Sequence, residues 1–198
     1  MNRLRFIAAL AIAALTVVPT SALAARVQIR VEGRTQTIYA AAPRTLDASN
    51  ALEALDRASL AGEFFYGVTT TSFGPFVSQI GRFPGEGASG WVYKVNGASP
   101  PVGADKVQLK DGDVVLWYWA TFDAAGAGPS TLELVRGSDG CYTVRLEDAN
   151  GVRTAARGAT LVYDGRQRVA ATGRSCLPKH RSLVRATLPG AVRSNAVR

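Results

Sequence analysis

Few residues in this 198-residue chain have the type and spacing that catalysis demands. His180 is the only histidine, and it follows Pro178-Lys179 in a basic, turn-like segment. A histidine acting as a general base needs a nucleophile and an orienting acid. The sequence points to neither, so His180 reads as a surface residue. No pair of histidines, Cys–His pair or H-E-x-x-H spacing is present, so a zinc site is not expected. There is no glycine-rich phosphate loop followed by Lys-Ser/Thr. Asp111 and Asp113 flank Gly112. A calcium loop requires further spaced oxygen ligands and a terminal Glu, whereas this pair leads directly into an apolar run and reads as turn chemistry. No catalytic residue, metal ligand or cofactor is assigned on these grounds, and the chain is expected not to be an enzyme.

The aromatic residues are the other candidates. Gly90–Phe122 holds all three Trp and two of the six Tyr. Trp91, Tyr93, Trp117, Tyr118 and Trp119, with Phe73 and Phe76, are large rings of specific geometry that serve either as core or as a platform for a flat ligand or glycan. Val114 to Ala120 is apolar on both faces, with Val115, Trp117 and Trp119 on one and Val114, Leu116 and Tyr118 on the other. Such a strand is central and covered on both sides, which places Trp117 and Trp119 in the core. Trp91 follows a glycine-rich loop and, with its neighbours, is left as the surface available for function.

These residues need elements to position them. Val27–Val31 alternates apolar and polar, Glu32-Gly33-Arg34 is a turn, and Thr37–Ala40 returns, so residues 26–41 read as a hairpin ended by Pro43. One helix follows. Asp47 or Ser49 caps it, Ala51, Leu52, Leu55, Ala58 and Ser59 or Leu60 form its apolar face, and Gly62 is a left-handed stop. A helix of about twelve residues is marginal alone and must lie on a sheet. Phe64–Thr71 and Phe76–Ile80 read as strands around Gly74-Pro75, and Phe83–Ala88 as a loop. In Gly90–Val95, Trp91, Tyr93 and Val95 share one strand face, and Val92 and Lys94 the other. Asn96-Gly97 is a tight turn, Val107 and Leu109 form a short strand, and Lys110–Asp113 is a further turn.

Organisation along the chain follows from composition. Arg3 and Arg5, the apolar run Phe6–Val18, Pro19 and Ala22-Leu23-Ala24 form an export signal over residues 1–24, cleaved before Ala25. The run is too short for a span of ~20 residues, so the exported protein is expected to be secreted or extracytoplasmic, at the cell surface or in a periplasm, and not transmembrane. Residues 25–122 form the first domain, 123–129 (DAAGAGP) a linker and 130–198 a second module. Thr131–Val135, Cys141–Leu146, Ala159–Tyr163, Val169–Thr172 and Leu183–Thr187 are short strands without a helix, which suggests a small β-sandwich. Residues 1–24 carry two Arg, residues 25–127 carry 9 basic and 10 acidic side chains, and residues 128–198 carry 12 and 5, so the C-terminal third alone is +7 of the formal +8. The basic third reads first as an Arg-biased, solvated face; as a binding face it would suit an anionic polymer or lipid. It lacks the aromatic–basic interleaving of a nucleic-acid site, and no nucleic-acid partner is expected. Cys141 and Cys176 are the only cysteines. In an exported chain they are expected to form one disulfide, closing a loop of about 36 residues and contributing roughly 3–4 kcal/mol in the chain-entropy model.

The helix over Ser49–Ala58, Gly74, Ile80-Gly81, Gly90–Gly97 (GWVYKVNG), Gly103-Ala104 and Asp111–Tyr118 (DGDVVLWY) together resemble the transcobalamin-like C-terminal domain family, a bacterial domain of unknown function, over roughly residues 27–121. The resemblance implies an α+β fold, a mainly antiparallel sheet with one helix in a β-grasp-like arrangement. It implies a ligand surface at Phe73, Gly74, Trp91 and Tyr93. In transcobalamin such a domain closes over cobalamin held against a helical barrel, and this chain contains no such barrel. The second module loosely resembles immunoglobulin-like or carboxypeptidase-regulatory-like domains. The expected function is a non-enzymatic binding or interaction protein whose partner is an envelope component, a glycan or a small molecule. The alternative is a corrinoid-type binding module acting with a partner protein.

Overall fold

A computed structural model describes residues 24–72 and 74–198. The expected export signal, apart from Ala24, lies outside the described residues. Among those residues no helix is long and apolar enough to cross a membrane.

The described chain is mostly β with one helix and several antiparallel sheets. Alternation in the first residues produces β1 (Ala25–Glu32), which pairs antiparallel with β2 (Thr37–Ala48). This hairpin is longer than the expected 26–41, because Pro43 does not end it. The register jumps between Ile29↔Arg44 and Val31↔Tyr39, so Pro43 falls in the excess of β2 residues opposite Arg30. A bulge is where a residue without an N–H is tolerated.

The helix α1 spans Ala51–Gly62. Its cap is Asn50, not Asp47 or Ser49: the Asn50 side chain accepts from the Glu53 N–H at 2.8 Å. Ser49 has the reciprocal role, its N–H and hydroxyl donating to the Glu53 carboxylate at 2.9 and 2.5 Å. Both effects pull the Glu53 pKa down, the Ser49 hydrogen bonds first. The buried stripe is Ala51, Ala54, Leu55, Ala58 and Ser59, while Leu60 is 68% exposed. The left-handed residue is Glu63 (φ 52), not Gly62. Gly62 is small for a different reason: a Cβ there would meet the Tyr39 ring at 2.5 Å.

Three short strands follow, β3 (Tyr66–Thr71), β4 (Gly74–Ile80) and β5 (Phe83–Pro84), hydrogen-bonded in that order. Then come β6 (Ser89–Val95) and β7 (Val114–Thr121). The main sheet has the order β2-β1-β7-β6, with β1 and β7 parallel and the other pairs antiparallel. β7 is therefore central, as its doubly apolar sequence requires. Val115, Trp117 and Trp119 pack with β1 and Ala51, Ala54, Leu55 and Ala58 of α1. Each such buried aliphatic or aromatic side chain contributes ~1.5–3 kcal/mol relative to exposure. Val107 and Leu109 do not form a strand. Gln108 makes one isolated bridge to Asn50, and the Leu109 N–H bonds the Ser49 carbonyl.

The C-terminal half has more strands than its sequence announces: β8 (Thr131–Arg136), β9 (Cys141–Glu147), β10 (Arg153–Ala155), β11 (Ala159–Tyr163), β12 (Arg166–Ala170), β13 (Arg174–Cys176), β14 (Val184–Thr187) and β15 (Ala196–Val197). They form one sheet of β10-β9-β13 with β8 beside β9, and another of β12-β11-β14-β15. Their inner residues make a separate core that includes Leu132, Leu134, Tyr142, Val144, Leu161 and Val184. Cys141 and Cys176 form the expected disulfide, across the β9–β13 pair.

Candidate functional site

β6 positions the site because it is the outer strand of the main sheet. Its two faces are set by alternation. Trp91 and Tyr93 join the helix-side core, and Val92 packs with Leu116, Tyr118, Ala120, Phe122 and Val192 on the opposite side. That second face of β7 is covered by the C-terminal half, not by another helix.

Lys94 points into the seam between the halves and is 1% exposed. Its ammonium donates to Thr131 Oγ1 at 3.0 Å, the Glu147 carbonyl at 3.0 Å and the Asp148 carbonyl at 2.7 Å. Burial lowers its pKa to about 8, against the opposing pull of Glu147 and Asp148. Elsewhere on the seam Glu32, with no exposed surface, receives Arg30 at 3.1 Å, Arg193 at 3.1 Å and Arg185. Burial lowers the pKa of Arg30 and Arg185, and the Glu32 charge opposes the shift. Arg30 also donates to the Arg193 carbonyl at 2.8 Å. Gly97 (φ +89) completes the seam, since a Cβ there would lie 2.6 Å from a Glu147 oxygen.

Beside this seam a groove of about 670 Å³ opens around the edge of β6. One flank is made by Phe76 of β4, Tyr93 and Val102. The other is made by Phe122, the 126–130 segment and Asp148–Asn150. Phe76 is 48% and Val102 49% exposed, so apolar surface faces solvent here. The Tyr93 hydroxyl donates to the Val102 carbonyl at 2.6 Å, which ties the 99–104 loop to the strand. Desolvation, with the Asp105 charge, raises the Tyr93 pKa and keeps the hydroxyl a donor. The 123–129 linker is a closed turn rather than a free tether: Asp123 Oδ1 accepts the Ala125 and Ala127 N–H groups, both at 2.9 Å.

The expected site residues divide. Tyr93 and Trp91 both line the groove. Trp91 is not a surface residue, however. It is 2% exposed, it stacks edge-on against Trp119 with centroids 5.7 Å apart, and its Nε1 donates to the Phe83 carbonyl at 2.8 Å. The preceding loop contains β5, and the Phe83 ring and carbonyl close over the indole. Gly74 starts β4 at φ +107 with open space around it, next to the groove-lining Pro75. Phe73 lies outside the described residues. Phe76, one of the aromatics the sequence offered for a platform, does line the groove with Tyr93, whereas sequence reasoning missed Val102, Phe122 and Asp148, because they come from three separate segments. It also missed Lys94 and Glu32, although the doubly apolar β7 was a signal that something must cover the Lys94 side.

His180 is half-buried rather than a surface residue. Its Nδ1 donates to the Pro178 carbonyl at 3.0 Å, and its Nε2 shares a hydrogen bond with the Tyr142 hydroxyl at 2.9 Å. The rings of Tyr142 and Tyr163 lie against it at 5.7 and 5.8 Å. Asp111 and Asp113 are turn residues: Asp111 accepts the Arg26 N–H and Asp113 the Lys110 N–H, each at 2.8 Å. Among the described residues no group of three or more His, Cys, Asp or Glu is placed to hold a metal ion.

Residues 48–121 match a family described as a domain of unknown function (DUF4430). A solved structure from Ruminococcus gnavus, of a protein for which metal binding is conjectured in its description, is 16% identical with a TM-score of 0.38, over 48% of this chain and 95% of that one. No curated protein matches the chain.

Proposed function

We propose that this is a secreted or cell-surface, non-enzymatic binding protein and that the groove around the outer edge of β6 is its binding surface. One observation carries the reading. A groove of about 670 Å³ is lined by exposed apolar side chains, and among the described lining residues Asp148 is the single charged one. Sites of a few hundred Å³ or more, mostly apolar with few polar groups, are the usual form of a ligand pocket. Export rests on the sequence of residues 1–24. The non-enzymatic reading is supported by His180, whose partners are two tyrosines and a carbonyl, not an acid and a nucleophile. The transcobalamin-like, β-grasp-like reading of residues 25–122 is supported by the β1–β2 hairpin, the helix and the parallel β1–β7 pair. The division at 123–129, with a small β-sandwich after it, is supported by the two separate apolar cores. A corrinoid-type ligand remains the alternative occupant that the resemblance implies.

Titration of the purified chain with 1-anilinonaphthalene-8-sulfonate and, separately, with cobalamin tests this reading. Saturable dye binding that weakens in Phe76→Ala and Tyr93→Ala is expected. Cobalamin binding sensitive to the same substitutions selects the corrinoid alternative. Binding of neither probe, or binding indifferent to both substitutions, refutes the groove as the binding surface.

A further inference from the structure

The charges of the C-terminal half are sorted by edge. Its two sheets end on one side at β8 and β15, the side that meets the first half. Basic groups near that side are paired: Arg185 and Arg193 with Glu32, and Arg145 and Arg153 with Glu133 of β8. The opposite side ends at β12 in one sheet and β13 in the other. On β13 Arg174 pairs with Asp139. Arg157, Arg166, Arg168, Lys179 and Arg181 are exposed, and none of them is in an ion pair among the described residues.

These cations lie in a row. β12 supplies the middle, with Arg166 opposite Tyr163 and Arg168 opposite Leu161. Residues opposite one another on a ladder share a face, so both side chains leave on the inner face with the buried Leu161 and Tyr163. Because β12 is outermost, they emerge into solvent beside the other sheet, and the Arg168 Nε donates to Ser175 Oγ of β13 at 3.0 Å. Arg157 extends the row at one end, since the next residue, Gly158, donates its N–H to the Ala170 carbonyl at 3.0 Å. Lys179 and Arg181 extend it at the other. The Arg181 N–H bonds the Asp164 carboxylate at 3.0 Å, just before β12 begins. His180 between them is fastened to Pro178 and Tyr142, which pins the loop to the sandwich. Asp164 is the single acidic residue in 157–181, and its carboxylate is engaged by the main chain of Arg181 and Ser182. At ~3.4 Å per residue β12 is about 17 Å long, so like charges stand along roughly two screening lengths at 0.1 M salt.

A charge or two at an edge strand deters pairing with another chain; a row that continues past both ends of the strand does more than that. Cations confined to a line match a ligand whose own charges lie on a line. A bilayer needs a plane of cations with apolar groups that insert among them, whereas here the exposed Val169 alternates to the other face of β12, opposite Thr160. A nucleic-acid strand needs aromatic faces for its bases, and Tyr142 and Tyr163 beside the row are buried. All of the row except Lys179 is Arg, whose planar fork bonds two oxygens of a phosphate at once.

We propose that the β12 edge of the C-terminal half binds a linear phosphate polymer without bases, laid along the row from Arg157 to Arg181. This surface shares no residue with the groove at β6 and binds independently of it.

End-labelled long-chain inorganic polyphosphate, followed by fluorescence anisotropy with the full exported chain over a salt series, tests this. Contact with five cations at ~0.7 per charge predicts that log Kd rises with log salt at a slope of about 3.5. Arg166→Gln with Arg168→Gln, and separately Lys179→Gln with Arg181→Gln, should each lower that slope by about 1.4 and weaken binding by about tenfold or more near 50 mM salt. The two pairs lie on separate segments, so a folding defect in one leaves the other to decide. Arg34→Gln with Arg57→Gln removes two exposed charges from the first half and should change binding by less than about twofold. Binding weaker than about 1 mM near 50 mM salt, or an equal loss in the first-half variant, overturns the site. Equal binding of poly-glutamate overturns the phosphate assignment. Tighter binding of phosphatidylglycerol vesicles or of oligodeoxythymidylate at matched phosphate overturns the polymer in favour of a membrane or a nucleic acid.

Discussion

The seam between the two halves and the groove beside it are built on the same strand and treat polar groups in opposite ways. On the seam, Lys94 is buried against three oxygen acceptors and Glu32 against three guanidinium groups. Among the described residues no buried side-chain N or O atom lacks a hydrogen-bond partner. At the groove, which begins one residue away at Tyr93, the apolar side chains of Phe76 and Val102 face water. A buried charge tolerates nothing less than full pairing, because each missing partner costs the whole desolvation penalty. An exposed apolar side chain makes no such demand on its neighbours. The difference marks the seam as the part that joins the two halves, and leaves the groove as the surface proposed for binding.

The sharpest way to break this contrast is Glu32→Ala. It leaves Arg30, Arg185 and Arg193 together without their anion, and about 3–5 kcal/mol of stability should disappear in urea unfolding. A loss below about 1 kcal/mol would mean the seam does not hold the halves. Replacing Cys141 and Cys176 by Ala should cost about 3 kcal/mol yet leave dye binding at the groove intact, because the bridge joins β9 to β13 away from it. The unreduced protein should accordingly show no titratable thiol when denatured.

Lys94→Met should cost about 2 kcal/mol near neutral pH by stranding Thr131 Oγ1 and two carbonyls, and it should carry a pH signature. The Lys94 pKa is lowered from 10.5 to about 8 in the folded chain. Between those values the unfolded chain holds more proton, so stability of the unaltered protein rises with pH across that window. The gap between it and Lys94→Met should therefore widen from pH 8 to pH 10 in parallel unfolding titrations. A gap that narrows or stays flat would show that the ammonium is not held as described. Tyr93→Phe removes only the bond to Val102 and should cost about 0.5–1 kcal/mol, read best as faster amide exchange in residues 99–104. Phe76→Ala, on a side chain half in water, should fall within ±0.5 kcal/mol while weakening dye binding.

Much of the frame was legible because it depends on local periodicity. The double apolar run of β7 announced a central strand, the α1 stripe announced a helix packed on it, and Asn96-Gly97 announced a tight turn that the φ values of 53 and 89 confirm. The mistakes occurred where a neighbour distant in sequence decides. Trp91 looked like surface because it follows glycines, and Phe83 with Trp119 buries it. Pro43 looked like a stop, and the bulge opposite Arg30 carries the strand past it. Gly62 looked like the left-handed cap, but Tyr39 occupies the space its side chain would need and Glu63 takes the turn. Leu60 fitted the helical stripe and faces water. In the C-terminal half three strands of two or three residues were invisible, since β10, β13 and β15 are too short to show alternation.

The sequence by itself determined the helix and most of the strands of the first half and the pairing of the two cysteines. Each of these follows from the order of residue types along a few consecutive positions or from a count. Only the tertiary structure decided that Lys94 and Glu32 are buried and that Tyr93 shares a groove with Phe76, Val102 and Asp148. These depend on which strand lies at the edge of the sheet and what the C-terminal half covers, and no periodicity within one segment encodes either.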